Sequence, residues 1–364
     1  MIPRVSKAVQ SNHVLVKEVK NAAIVTLNRP EKMNTFTPWM PRQIYNTLKD
    51  LESSNNKLVV IQGAGNRAFC AGIDLGEFLK NKTTDSVMNI QIYASNSMDL
   101  ISRYKKPYVA LMDKIVMGGG CFFSMSSKYR IATERTTFAM PETEIGLFTN
   151  AGASYFLPRL KNNLGYYIGL AGARLNGYEV KKFGLASHYI ESHRLDDFLG
   201  SVVDCQDDHE VEKAVLQFST EPICKDTELD EILPKIDKCF NADSVEEIMD
   251  NLNADGSDWA KQVAKKLNRM SPTSVKICHK LIKMGNNLTL QEGLTVEHIL
   301  AYNIGLRYSH DFQEGIRALI IDKDMKPQWN PKTLKDVTQE HVDMFFGPLP
   351  DDMELTFESN MNKL

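Results

Sequence analysis

Met117-Gly-Gly-Gly120 and Glu142 are the residues of this chain best suited to chemistry. A glycine triplet that opens a helix leaves backbone N–H groups unpaired and approachable, which suits an anion or a developing oxyanion. The plainer alternative is that Gly118, Gly119 and Gly120 only let a helix pack closely on a strand. Glu142 follows the apolar run Phe138-Ala-Met-Pro141. A carboxyl set among apolar groups loses hydration, and its pKa rises toward the range in which an acid or base works. Its alternative is a capping acid beside Thr143, and Glu144 reads as a solvated neighbour. The pairing of amides with an acid points to an enzyme or the descendant of one.

The elements that must hold these groups read as an α/β core followed by helices. His13–Val19 and Ala22–Leu27 read as a hairpin, and Leu58–Ile61, Tyr108–Met112 and Tyr129–Ala132 as further strands. Thr37-Pro38 reads as a helix start, with Ile44, Leu48 and Leu51 on one face. After about residue 205 the pattern turns helical: 211–218, 232–240, 245–252, 259–267, 273–284, 290–306 and 312–321, with Ser271-Pro272 as a cap. The expected organisation is a core over residues 1–205 and a helical lobe over 206–364.

A chain of 364 residues is long enough for two lobes, and 43% apolar with 24% charged residues is ordinary for a globular protein. The net charge of −3 gives no electrostatic reason to expect nucleic acid or an anionic membrane as partner. Cys70, Cys121, Cys205, Cys224, Cys239 and Cys278 form no CxxC pair, and no HExxH occurs, so no metal is expected. Arg4 and Lys7, with serines and no acid, suggest a mitochondrial presequence, and the final Asn-Lys-Leu364 differs by one residue from a peroxisomal address. Mitochondrion is the first expectation and peroxisome the second.

In this order the motifs resemble the crotonase (enoyl-CoA hydratase/isomerase) superfamily, and within it the 3-hydroxyisobutyryl-CoA hydrolase group. Leu27-Asn-Arg-Pro-Glu-Lys-Met-Asn34, Phe69-Cys-Ala-Gly72 with Asp74, Met117–Gly120 and Phe138–Leu160 carry the match, and His310-Asp-Phe-Gln-Glu-Gly-Ile-Arg317 extends it distally. The resemblance implies a ββα superhelix core for acyl-CoA, followed by the helical lobe. It implies that the amides of Ile73 and Gly119 hold a thioester oxygen, flanked by Gly118 and Gly120, and that Glu142 is base or nucleophile. Lys32 and Ala71 fall where relatives contact CoA, although Lys32 reads equally well as a surface lysine. Coenzyme A would be part of the substrate, with no separate cofactor, and a homo-oligomer is possible.

The departures from that pattern carry as much weight. Where the hydrolases place an aspartate, this chain has Asn150, which keeps the shape and can hydrogen-bond a substrate hydroxyl but cannot take a proton. A second acid position aligns with Ala94, and the usual glycine is Ile73, whose branched side chain narrows the approach. Phe122 stands where hydratases carry their second glutamate, which makes water addition to an enoyl-CoA improbable. Without a paired carboxylate, Glu142 is expected to be a weaker base. The first reading is hydrolysis of a short 3-hydroxyacyl-CoA, slowed by these losses. The second is a non-catalytic relative in a structural role, such as a mitoribosome-associated subunit. Isomerase or hydratase chemistry trails both.

Overall fold

The computed structural model describes residues 12–221, 228–308 and 310–358. Arg4, Lys7, Cys224 and the terminal Asn-Lys-Leu364 lie outside the described residues. Among the described residues ten strands run in chain order as β1 (Val14–Val19), β2 (Ala22–Leu27), β3 (Leu58–Gly63), β4 (Ala68–Cys70), β5 (Tyr108–Met112), β6 (Ile115–Met117), β7 (Tyr129–Ala132), β8 (Thr137–Ala139), β9 (Arg174–Asn176) and β10 (His188–Tyr189). They form a six-stranded sheet, β1-β2-β3-β5-β7-β10, and a four-stranded one, β4-β6-β8-β9. Only β1/β2 and β8/β9 pair antiparallel. The chain passes from one sheet to the other as β3 then β4, β5 then β6, β7 then β8, with helical segments between passes. Each pass therefore delivers the end of a second-sheet strand, and the turn after it, to the same side of the molecule.

Strand alternation explains why these strands read as continuous apolar runs: both faces of the large sheet are covered. Val59, Ile61, Ala110 and Met112 face the main core. Leu58, Val60, Val109, Leu111 and Ile131 face a second cluster. Helices Leu195–Val202 and Asp208–Phe218 close that second face through Phe198, Val202, Val211 and Val215. The helix 208–218, just beyond the expected boundary at 205, thus packs on the sheet. From Leu229 onward the helices add their apolar faces to the main core, which continues across that boundary.

Two local expectations are corrected. The helix expected at Thr37-Pro38 begins at Met40 with Pro41 in its first turn, because Thr37 and Pro38 form a turn whose Thr37 carbonyl accepts from Met40 N–H. The expected continuous helices 290–306 and 312–321 each end in a π-helical turn, Asn303–Arg307 and Arg317–Ile321. At the first of these, the Asn303 amide donates to the carbonyls of Phe345 and Gly347, and Gly305 sits closely against Val87.

Phe198 is fully buried at the centre of the second cluster. Phe198→Ala should cost roughly 3–5 kcal/mol in denaturant unfolding, and a loss below about 1 kcal/mol would contradict its place in the packing.

Candidate active site

The glycine triplet opens a 3-10 helix, Gly118–Phe123, directly after β6. Its first amides have no carbonyl one turn back to accept from them. The loop after β4 reaches the same place, where Phe36 and Ile73 form a parallel bridge: Phe36 N–H donates to Gly72 O at 2.9 Å and Asp74 N–H to Phe36 O at 3.0 Å. That pattern turns the Ile73 amide away from Phe36. Neither the Ile73 nor the Gly119 N–H donates to an acceptor among the described residues. The two donors are close neighbours, since Gly119 N lies 3.2 Å from where a Cβ on Gly72 would stand. A Cβ on Gly119 would fall 2.7 Å from the buried Phe36 ring, so a side chain there would push on the residue bridged to the other donor.

An ion pair secures the Ile73 loop. Arg29 donates to Asp74 Oδ2 at 2.9 Å and to Thr35 O at 2.6 Å, and Asp74 Oδ1 caps the helix Leu75–Lys80 by accepting from Glu77 N–H. Burial pushes the Asp74 carboxyl up, but the Glu77 amide and the Arg29 guanidinium outweigh it and hold it below its usual range. Asn34 fastens the base of the loop, accepting from Arg29 N–H and donating to Ala64 O and Ala68 O.

Glu142 begins the 3-10 turn Glu142–Ile145 after β8. Its Oε1 lies 3.0 Å from where a Cβ on Gly118 would stand, and Gly118 holds φ +49°, so the carboxyl packs over main chain that only glycine can supply there. Glu142 is 6% exposed and its Oε2 is buried without a hydrogen-bond partner. Desolvation pushes its pKa up to about 8; the backbone N–H groups of Glu142 and Asn150 oppose that rise, and the charge of Glu297 adds to it. Burial therefore sets the Glu142 pKa chiefly, and a second buried acid from far along the chain, Glu297, adds to the rise. The far side of the turn is clamped, because Gly146 sits against the Asp311 carbonyl and Gly315 against the backbone of Ile145 with no room for a Cβ. Glu144 is half-buried and pairs with Lys266 at 3.6 Å, so it is less solvated than expected.

Asn150 is brought next to Glu142 but is already engaged. Its Oδ1 accepts from Ala151 N–H at 2.8 Å and from Gln91 Nε2 at 3.2 Å, while its Nδ2 donates to Gln91 Oε1 at 2.9 Å. The Ala151 amide can only donate, which fixes the Asn150 amide orientation and leaves one Nδ2 hydrogen uncommitted. Ala94, one turn beyond Gln91 on the helix Thr84–Ser102, is fully buried and offers no polar group. Phe122 is likewise buried in the core. Lys32 is exposed, and Ala71 N–H donates to Met33 O, so these two expected CoA contacts lie on adjoining segments. Cys70 and Cys121 are buried, and desolvation raises both thiols, Cys70 to about 12, which leaves them neutral packing groups. Among the described residues no group of three or more potential ligands could hold a metal, and no helix is long and apolar enough to cross a membrane.

Sequence reasoning missed Gln91, Arg29 and Glu297. Glu297, on the helix Leu290–Tyr302, is fully buried and accepts from Gly152 N–H, Ser154 N–H and Ser154 Oγ. Burial raises its pKa to about 7 against the pull of those donors. Its signal was present: Glu297 falls on the face of Leu294, Leu300 and Ile304, where an acid interrupts an apolar stripe.

An enoyl-CoA hydratase/isomerase family model matches residues 22–346. The chain is 40% identical to the mitochondrial 3-hydroxyisobutyryl-CoA hydrolase of Rattus norvegicus, across 95% of this chain and 91% of that protein. It is 40% identical to the Homo sapiens protein of the same name, across 93% and 89%. In structure it is similar to a carnitinyl-CoA dehydratase from Mycobacterium thermoresistibile, with TM-score 0.86, 31% identity and coverage of 96% of this chain and 99% of that one. An enoyl-CoA hydratase from Rhodobacter sphaeroides gives TM-score 0.84 at 29% identity, with 95% and 100% covered.

The raised Glu142 carboxyl has a measurable consequence for stability. Between its ordinary 4.5 and about 8 the folded chain keeps a proton that the unfolded chain releases. That contribution is complete below about pH 4.5 and is lost as pH rises through about 8. Glu142→Gln removes the titration, so the variant should gain stability relative to the parent as pH is raised from about 5 to about 9. Denaturant melts showing a constant difference over that range would contradict the buried, unpaired placement.

Proposed function

The chain belongs to the enoyl-CoA hydratase/isomerase family, and from that premise we propose that it hydrolyses the thioester of 3-hydroxyisobutyryl-CoA or a similar short 3-hydroxyacyl-CoA. The observation that carries this reading is the desolvated Glu142 carboxyl beside two neighbouring unpaired amides. In the proposed reaction ionised Glu142 takes a proton from water, and the resulting hydroxide oxygen bonds to the thioester carbon. The carbonyl electrons move onto oxygen, which accepts from the Ile73 and Gly119 amides. When the carbonyl re-forms, the C–S bond breaks and Glu142 returns its proton to the CoA sulfur. Asn150 offers its remaining N–H to the acyl hydroxyl oxygen. Lys32 would serve a phosphate of the CoA, beside Ala71. The reaction requires no cofactor beyond the CoA that arrives with the substrate, and the mitochondrial names of the relatives support the same compartment.

The buried Ala94 and the Asn150–Gln91 pair favour a second reading, in which the fold persists as a non-catalytic subunit. Thiol release separates the two, since no free CoA thiol at micromolar protein would leave only the second.

Glu142→Gln should lower thiol release by about 10²–10⁴-fold. Asn150→Asp, which restores an acid beside Glu142, should raise it at least about tenfold, and an unchanged rate would refute the account of the lost acid. Because Glu142 must be ionised to act, kcat/KM should climb with pH toward about 8 and level above it. A flat profile from about pH 6 to about pH 9 would remove Glu142 from the role of base.

A further inference from the structure

We propose that Glu297 is a positioning residue for the reacting centre, holding the Asn150–Ser154 turn from the helical half of the chain. The proposal rests on the reading of Asn150 and Glu142 given above.

The turn has little to hold it by itself. Ala151 and Gly152 are consecutive residues at positive φ, +61° and +77°, and a non-glycine residue there costs conformational energy that the surroundings must offset. The helix it starts, Ala153–Phe156, is a single turn with amides to satisfy. Three of the turn's donors converge on the one carboxylate: Gly152 N–H at 2.8 Å to Oε2, and Ser154 N–H at 2.9 Å and Ser154 Oγ at 2.6 Å to Oε1. An ionised carboxylate accepts through both oxygens, so Glu297 grips the turn at its middle and at its far end. The approach is built for contact. Gly293, one helical turn before Glu297, would place a Cβ 2.6 Å from Ser154 Oγ. Ala153 N–H donates to the Asn150 carbonyl, which ties the gripped segment to Asn150, and the Asn150 amide lies against Glu142. Displacing the turn moves Asn150 and the environment of Glu142 together. A misplacement of about 1 Å costs up to about 10²-fold in rate.

The test uses the full-length purified protein. Glu297→Gln keeps the size but replaces one acceptor oxygen with a donor that faces an N–H or the Ser154 hydroxyl. Thiol release from 3-hydroxyisobutyryl-CoA should fall about tenfold or more in kcat, with KM changed by less than about threefold. On an Asn150→Ala background the same change should cost less than on the parent, because the part carried by the Asn150 side chain is already gone. Hydrogen exchange should accelerate over residues 150–156 and stay unchanged in β2 and β3. Ser154→Ala, which removes one of the three donors, should move each readout the same way by less and serves if Glu297→Gln does not fold. Unchanged exchange over 150–156, acceleration spread through the sheet, or an undiminished loss on the Asn150→Ala background would each overturn the proposal. If the parent protein releases no CoA thiol, the hydrolase reading fails, and the exchange measurement still decides whether Glu297 holds the turn.

Discussion

A carboxyl group stripped of water, with one oxygen unpaired and main chain rather than side chain against it, is the constraint around which this molecule is arranged. Burying such a group unpaired is unfavourable unless it stays protonated or the surroundings compensate. Glu142 meets both conditions in part: its pKa rises to about 8, and backbone amides oppose the rise. The rest follows from keeping that group in place. Gly118 must be glycine for the carboxyl to lie over it, Gly119 must be glycine for Phe36 to pass, and Phe36 in turn is the bridge partner that sets Ile73. The Arg29–Asp74 pair, itself largely withdrawn from solvent, anchors the loop on which Ile73 sits. Removing one member of a buried pair typically costs about 3–5 kcal/mol, so this anchor also ties the site to the stability of the fold.

The polar inventory of the site has been simplified rather than erased. Ala94 fills its position with core, and Phe122 does the same where the hydratases carry an acid. Asn150 and Gln91 satisfy each other, which leaves no buried amide orphaned but also leaves little hydrogen-bonding capacity for a ligand. A reciprocal amide pair carries no charge and is insensitive to pH. The acid whose charge adds to the Glu142 rise is Glu297, whose own oxygens are occupied by backbone and hydroxyl donors.

Much of this was legible in the sequence because it rests on local rules. Five strands of the large sheet announced themselves by alternation or as apolar runs, the short strands of the second sheet and β10 did not, and the glycine triplet and Glu142 stood out by type and context. The departures at Asn150, Ala94 and Phe122 were visible as substitutions in a recognised pattern. What escaped the sequence depends on contacts between distant segments. The helix at Met40 starts late because a Thr37–Pro38 turn intervenes, and a Pro in the first turn fits either register. The π turns at Asn303 and Arg317 depend on partners such as Phe345, which local periodicity does not encode. Glu297 interrupts an apolar helical stripe, but that it receives three donors from the 150–154 turn is set by contacts between distant segments. The upward direction of the Glu142 pKa was legible from its apolar neighbours, while the added push of Glu297 was not.

The clamp on the Glu142 turn has an implication for the order in which the protein is made. Glu142 leaves the ribosome well before Gly293, Glu297, Asp311 and Gly315, yet those residues close around its turn and the one that follows. A nascent chain that has completed both sheets therefore carries the acid without the frame that holds it. The frame around Glu142 closes only when the last helices dock, and a cut anywhere between residues 286 and 316 would sever part of that frame from the sheets while leaving every sheet residue intact.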